Sequence, residues 1–424
     1  MNFTAFLNIR MVKRLDTTSL LDGLPCTGCF ACYDNCPTNC ISVITDANGF
    51  LIPNIDNQKC FNCYHCFNQC PSRNKGEKND PLRGYVAFSQ EEKLYERSSS
   101  GGVFATIAKY FLLDGGFVYG AAYIAKDQCV KHICITDEND VKLLQGSKYV
   151  QSLTAGIYKD VKSNLNAGKK ILFSGTPCQI AALYSVIGKD RCKNLYTIEI
   201  ICHGVSNNIF FKKSVSGYKH GSDYPIDIKF RIKTKHEKSA FALQLDYSNG
   251  KSKTIFANRD LYYRLYVDGK IYRESCYECE YATRHRIADI TLGDCSTYKD
   301  YDFLNPNKAL STVIINTEQG QSLWELYQSK LITAPINMEK EIKHNAQLTH
   351  PSKRPDNLYK IYEDYKRLSV RQLRKKYVTI SINDELKNLA KSILSLNSRN
   401  KIRSKIKALK KLRSSQTYEP KLKN

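Results

Sequence analysis

Eight cysteines in two identical spacings carry the first chemistry of this chain. "CTGCFACYDNCP" begins at Cys26 and "CFNCYHCFNQCP" at Cys60. Both read C-x2-C-x2-C-x3-C-P. Cys26, Cys29, Cys32 and Cys36 recur 34 residues later as Cys60, Cys63, Cys66 and Cys70. Three thiolates at this spacing reach three corners of one iron–sulfur cubane, while the fourth, past a helical turn and before a proline, points to a neighbouring cluster. The spacing predicts two 4Fe-4S clusters with crossed ligation. Cys26, Cys29, Cys32 and Cys70 hold one; Cys60, Cys63, Cys66 and Cys36 hold the other. Soft thiolates suit iron–sulfur chemistry. A mononuclear zinc site more often uses two separated C-x2-C pairs, and disulfides need an oxidising compartment.

A second group of residues is less self-explanatory. "ILFSGTPCQIAAL" reads as a strand, a turn and a helix that opens at Cys178. A helix N-terminus favours a thiolate, so Cys178 alone reads as a nucleophile, a ligand or a core residue. Cys202 ends the strand pattern "YTIEIIC", and "CYEC" supplies the pair Cys276 and Cys279. Strand C-termini of an open α/β sheet line the ligand crevice, which would bring Cys178 and Cys202 to one place. "SSSGG", Ser98 to Gly102, precedes a helical pattern; such a loop holds a phosphate or caps a helix. Lys148 in "GSKY", His203 after Cys202, and Gly293-Asp294 at a strand end each have a plain structural reading as well. Cys40, Cys129, Cys134, Cys192 and Cys295 are left as core or surface residues.

The elements that must position these groups follow from pattern. The chain has 424 residues and 17 cysteines, enough for two or three domains with a sizeable core. A cysteine-rich unit over 17–80 ends in the polar linker "SRNKGEKNDPLRG". Residues 85–335 alternate strand and helix patterns, in an N-terminal part (85–165) and a C-terminal part (166–335), as expected of an α/β core. Asn249-Gly250 marks a hairpin turn between two strands. Residues 336–424 read as a basic helical tail, with Ile402, Ile406, Leu409 and Leu412 at helical spacing. Between Lys387 and Lys423 stand twelve Lys or Arg and one acid, about half of the net charge of +23. No apolar run is long enough to span a membrane, and the N-terminus lacks a signal-peptide pattern, so a cytoplasmic location is expected. No nucleic-acid motif accompanies the charge, so no nucleic-acid partner is expected; the tail offers peripheral contact with an acidic surface.

The cysteine block resembles the bacterial two-cluster ferredoxin domain. After it come "RSSSGGVFATIAKYFLLDGGFVYGAAY", "QGSKYVQS", "FSGTPCQIAAL…LYTIEIICHG" and "CYECEYATRHRIADITLGD". In this order they resemble the beta-subunit family of coenzyme F-420 hydrogenase/dehydrogenase. The expected fold is therefore an α+β ferredoxin-like domain, a mixed α/β flavin-binding domain and the basic helical tail. The resemblance implies FAD. Its pyrophosphate would lie at Ser98, Ser99, Ser100, Gly101 and Gly102 and at Gly175 and Thr176, with Gly293 and Asp294 near its ribose or ring. It implies Lys148 at the flavin edge and His203 as a proton relay. It favours a third 4Fe-4S cluster on Cys178, Cys202, Cys276 and Cys279, against structural zinc or core cysteines. The family pattern continues after Gly-Asp with an aromatic pair. This chain has Cys295 and Ser296, which bears against F-420 itself as the partner.

The expected function is an iron–sulfur flavoprotein oxidoreductase passing electrons between a two-electron donor or substrate, FAD and the clusters. Relatives of similar organisation point to surface-polysaccharide biosynthesis. The alternative is a non-catalytic ferredoxin-type subunit that docks to a partner enzyme. Either would exchange electrons with a redox protein or a small carrier, and an oligomer is expected.

Overall fold

The structure, a computed structural model, describes residues 16–24, 26–188, 193–234, 237–378 and 398. Cys192 and most of the expected tail lie outside these residues. The centre is a nine-stranded sheet. Its spatial order is Leu331–Pro335, Arg83–Ser89, Ser311–Ile315, Ile290–Asp294, Leu195–Ile200, Ile171–Gly175, Phe117–Ile124, Cys129–Ile135 and Ser152–Leu153. The four strands from Ile290–Asp294 to Phe117–Ile124 run parallel. Antiparallel neighbours flank this parallel core, and the short strand Ser152–Leu153 closes the edge in parallel with Cys129–Ile135.

Parallel strands are buried on both faces and read as continuous apolar runs. Ile171, Leu172 and Phe173 are fully buried. Ile171 and Phe173 pack on one face with Tyr158, Val161, Ile180 and Leu183, from the helices Ile157–Asn166 and Pro177–Ile187. Leu172 and Ile198 pack on the other with Val103, Ile107 and Phe111 of helix Val103–Leu113 and Leu323 and Trp324 of helix Glu318–Tyr327. Each such side chain contributes about 1.5–3 kcal/mol by leaving water. The expected elements around the site are thus present. One ladder joins Phe117–Ile124 to Ile171–Gly175, and another joins Arg83–Ser89 to Ser311–Ile315. The expected parts 85–165 and 166–335 therefore share a single layer, because their strands interleave.

The Asn249-Gly250 hairpin forms, with Asp246 opposite Ser252 and Gly250 at φ 78°. It belongs to an aromatic layer that includes Phe210, Phe211, Tyr262 and Tyr263. Residues 338–377 depart from the expectation of a tail. They form the helices Met338–His344, Leu358–Arg367 and Val370–Tyr377. Leu358, Ile361, Tyr362, Tyr365 and Leu373 are buried in the aromatic layer. The apolar residues of these amphipathic helices need a partner, and the core supplies it. No helix among the described residues is long and apolar enough to cross a membrane.

His132 locks the sheet beside the site. Its Nδ1 accepts from Ser152 Oγ at 2.7 Å and its Nε2 donates to Ser174 O at 3.0 Å, and its ring stacks on Phe173. Burial lowers it to about 4. The folded state keeps the ring neutral where the unfolded chain takes up a proton, so stability is full above pH 6.5 and falls as pH drops toward 4. This residue alone should remove about 3 kcal/mol over that window. Thermal unfolding against pH should show a gentler acid slope in His132→Gln than in the unmodified chain.

Candidate metal centres and the adjoining polar face

The two cysteine motifs fold as one repeated loop. Gly28 and Phe30 have φ 65° and 60°; their counterparts 34 residues on, Asn62 and Tyr64, have φ 61° and 58°. Each left-handed pair curls the chain around a hollow before a short helix, Ala31–Asn35 or His65–Asn68. Cys26, Cys29, Cys32 and Cys70 line one cavity. Cys36, Cys60, Cys63 and Cys66 line the other together with Cys40, whose sulfur is 3.4 Å from that of Cys36. The cysteines of the two motifs thus group across the motifs, Cys70 with the first and Cys36 with the second. Backbone amides already point at sulfur, Gly28 N at Cys26 and Cys40 N at Cys36, both at 3.4 Å. Such N–H···S contacts tune a cluster's potential. The hairpin Ile41–Thr45 with Leu51–Ile55 braces both loops.

Four further cysteines converge in the core. Cys178 lies in the first turn of helix Pro177–Ile187, which Gln179 Oε1 caps at the Thr176 amide (2.9 Å). Cys202 follows strand Leu195–Ile200; Cys276 lies in helix Glu274–Tyr277 with Cys279 just beyond. Cys202 faces Cys276, Cys178 and Cys279, and Cys178 faces Cys279 and Cys276. The Thr176 hydroxyl is 3.1 Å from Cys178 Sγ. Burial pushes Cys178 up to about 12 and Cys276 to about 11. Cys29 and Cys66 likewise rise to about 12, burial again the main cause. A bound cation inverts this preference and takes the thiolates. Among the described residues no three His, Cys, Asp or Glu side chains converge on a single ion, whereas a cubane gives each thiolate an iron of its own. The all-sulfur donor sets fit iron–sulfur clusters.

The three sets stand in a row. Cys32 of the first cavity faces Cys66 of the second. On the other side, Tyr158 faces both Cys29 and Cys178, and Tyr281 faces Cys178, Cys29 and Cys279. Hydrogen bonds clamp the first loop to the core. Thr154 Oγ1 donates to Cys29 O (2.8 Å) and Gln151 Nε2 to Gly28 O (3.1 Å). Buried Asp34 accepts from Gly156 N at 2.7 Å and Tyr158 N at 2.9 Å, capping helix Ile157–Asn166 from the neighbouring unit. Asp34→Ala should cost about 1–2 kcal/mol in denaturant unfolding, while Asp34→Asn keeps most of that.

The remaining expected residues meet a polar face at the C-terminal ends of the parallel strands. Asp294 ends its strand half-exposed and pairs with Arg231. Arg231 donates to Ser239 Oγ and lies over Phe241 at 4.3 Å. His203 is beside both. Desolvation lowers its ring pKa, Asp294 acts the other way, and Arg231 lowers it further. Lys233 donates to the carbonyls of Tyr95 (2.7 Å), Ser98 and Ser100 (2.9 Å). Burial draws it down to about 8.

The seryl loop differs from its expected role. Ser98 and Ser100 hydroxyls donate to Leu94 O and Leu310 O, and Ser99 Oγ accepts from Ser147. A Cβ on Gly101 would meet Ala87 O at 2.2 Å, so this glycine serves close backbone packing. The Ser98 and Ser100 hydroxyls spend their protons on these carbonyls and leave none for a phosphate, whereas Ser99 acts only as an acceptor in these contacts; helix Val103–Leu113 starts beside them with no side-chain cap at Gly102. Gly175 and Thr176 are taken up in the helix cap, and Gly293 lies under Ile201. Lys148, expected at a flavin edge, is tied to Leu143 O (3.0 Å) and Gln145 O (2.8 Å). Burial pulls it down to about 7, with Asp227 acting upward and Arg97 downward. Sequence reasoning missed Arg231 and Lys233. The alternation Lys229, Arg231, Lys233 in the sequence was the available signal, although the structure divides it between the strands Asp227–Lys229 and Ile232–Thr234.

No curated protein matches the chain. The F-420-reducing NiFe hydrogenase complex from Methanosarcina barkeri, a solved structure in a xenon derivative, contains a chain similar at 18% identity and TM-score 0.44; the match covers 63% of this chain and 91% of that one. Residues 25–74 match the family model described as 4Fe-4S dicluster domain. Residues 84–159 and 168–339 match the N-terminal and C-terminal models of the coenzyme F-420 hydrogenase/dehydrogenase beta subunit. With both halves of that pattern in order behind a dicluster domain, the chain belongs to the coenzyme F-420 hydrogenase/dehydrogenase beta-subunit family.

Proposed function

We propose that this chain is an iron–sulfur oxidoreductase that exchanges an electron pair with a donor or substrate at the His203–Arg231–Asp294 face. Single electrons then pass between a third 4Fe-4S cluster and the two ferredoxin clusters. The observation that carries the reading is the convergence of Cys178, Cys202, Cys276 and Cys279 beside the first ferredoxin cavity. His203 follows Cys202 directly, so the polar face and the innermost ligand set share one turn of chain.

FAD is the mediator this reading assigns, because a flavin accepts two electrons and releases them singly. The chain's own residues supply the setting. Arg231 and Lys233 offer fixed positive charge to an anionic cofactor or substrate. Asp294 and Ser239 fix the direction of the Arg231 fork. His203, exposed at the edge, moves a proton between the substrate and water. At the far end of the row Cys63 and Phe61 are exposed, which suits electron exchange with a redox partner protein. A reductive sugar modification in surface-polysaccharide biosynthesis is the first substrate class to assay.

Anaerobic purification with iron, sulfide and flavin quantitation tests the reading. About twelve irons and one flavin per chain, with flavin bleaching by substrate, is the expected result. About eight irons and no flavin would overturn it. About twelve irons without flavin would leave the electron-transfer subunit, a role for which the exposed Cys63 edge is suited.

A further inference from the structure

Arg273 is 4% exposed, and among the described residues none of its hydrogen-bond partners is a carboxylate. Nη1 donates to Cys26 O at 3.3 Å; Nη2 donates to Leu51 O and Gln151 Oε1, both at 2.7 Å. Nε is buried with no hydrogen-bond partner among the described residues. The guanidinium lies over the Phe50 ring at 4.7 Å. A buried cation without a counter-ion is costly, so a negative group is expected beside it.

Its position says what that group is. A Cβ on Gly28 would come within 2.6 Å of Nη2, so the guanidinium fills the space over the loop between Cys26 and Cys29. On its other side, Cys178 and Cys276 both feel the Arg273 charge. Its own carbonyl accepts from Cys276 N at 2.9 Å. One guanidinium thus touches the loop of the first set and faces two sulfurs of the innermost set. A four-thiolate cluster is net negative and gains one more negative charge on reduction. A fixed cation nearby therefore favours the reduced form.

We propose that Arg273 is a positioning residue that couples the first and third clusters and raises the reduction potential of both. The inference rests on the proposed third cluster. The test is an EPR-monitored redox titration of the full chain, with iron content measured on the same samples. Arg273→Gln at full iron should lower the reduced-to-oxidised ratio of both clusters at least about tenfold at a fixed potential, about 59 mV for one electron. The outer cluster on Cys36, Cys60, Cys63 and Cys66 should stay in place as an internal reference. Arg273→Lys keeps the charge and should recover most of the shift. Unshifted potentials in Arg273→Gln at full iron overturn the inference, as does an Arg273→Lys protein shifted as far as Arg273→Gln. If Arg273→Gln loses iron, Arg273→Lys decides: potentials near those of the unmodified chain support the charge role, and lowered ones refute it. About eight irons in the unmodified chain removes the third cluster and the inference with it, a failure read from the iron count and not from the potentials.

Discussion

Cys178→Ala protein is expected to carry about eight irons in place of about twelve, with both ferredoxin clusters intact. The substitution is mild for the fold. The helix that holds Cys178 is started by Thr176 and Pro177 and capped at the Thr176 amide by Gln179, none of which needs the sulfur. The neighbouring Ile180, Ala182 and Leu183 remain fully buried against the sheet. What is lost is one of four thiolates, and a cubane held by three, with no replacement ligand at hand, is released. Iron and sulfide analysis, with EPR of the reduced protein, reads the result. Full iron retention would return Cys178 to the core or to catalysis. Cys202→Ala should behave alike, since Cys202 faces Cys178, Cys276 and Cys279 from a different strand end.

The outcome depends on features that the sequence shows unequally. The ferredoxin loops were legible because the ligands lie close together in sequence. A spacing of two and three residues fixes which corner each thiolate reaches, and the 34-residue repeat extends to the left-handed backbone at Gly28, Phe30, Asn62 and Tyr64. The parallel strands were legible because burial on both faces leaves an apolar run such as Ile171–Phe173. The innermost cysteines were half legible. Nothing in the spacing of Cys178 and Cys202 demands a shared site. The rule that strand ends line the crevice, joined to a family resemblance, brought them together.

What stayed hidden was set by partners far away in sequence. Arg231 meets Asp294 across 63 residues, Lys233 meets the Ser98–Ser100 carbonyls across 133 or more, and Asp34 caps a helix 122 residues on. A lone charged residue gives no sign of which loop it will close. The seryl loop illustrates the converse. Its residues suit a phosphate or a helix entry equally, and only the carbonyls of Leu94 and Leu310 reveal that the hydroxyls of Ser98 and Ser100 are engaged. The segment 338–377 looked like part of a basic tail because its charge is high. Its narrow apolar faces, with Leu358, Ile361 and Leu373 buried, attach it to the core instead.

Cys70→Ala protein should lose the middle cluster and, with it, the magnetic contact that each of the other two makes with it. Crossed ligation makes this specific: Cys70 belongs to the second motif in sequence, yet it lines the cavity of Cys26, Cys29 and Cys32. Removing it should empty that cavity of about four irons and spare the cluster on Cys36, Cys60, Cys63 and Cys66. Uncrossed ligation predicts the reverse, loss of the outer cluster. The row of sites adds a second readout. The middle set faces the outer one through Cys32 and Cys66, and faces the inner one across Tyr158 and Tyr281. Neighbouring reduced clusters split each other's EPR signals, so the fully reduced unmodified chain should show a split spectrum, and Cys70→Ala two simple ones. The double variant Cys36→Ala/Cys40→Ala, which removes the outer cluster's fourth ligand together with the Cys40 sulfur 3.4 Å from it, should keep the splitting between the middle and inner sites. Splitting that survived in Cys70→Ala, with about four irons gone, would place the outer and inner clusters in contact and break the order of the electron path.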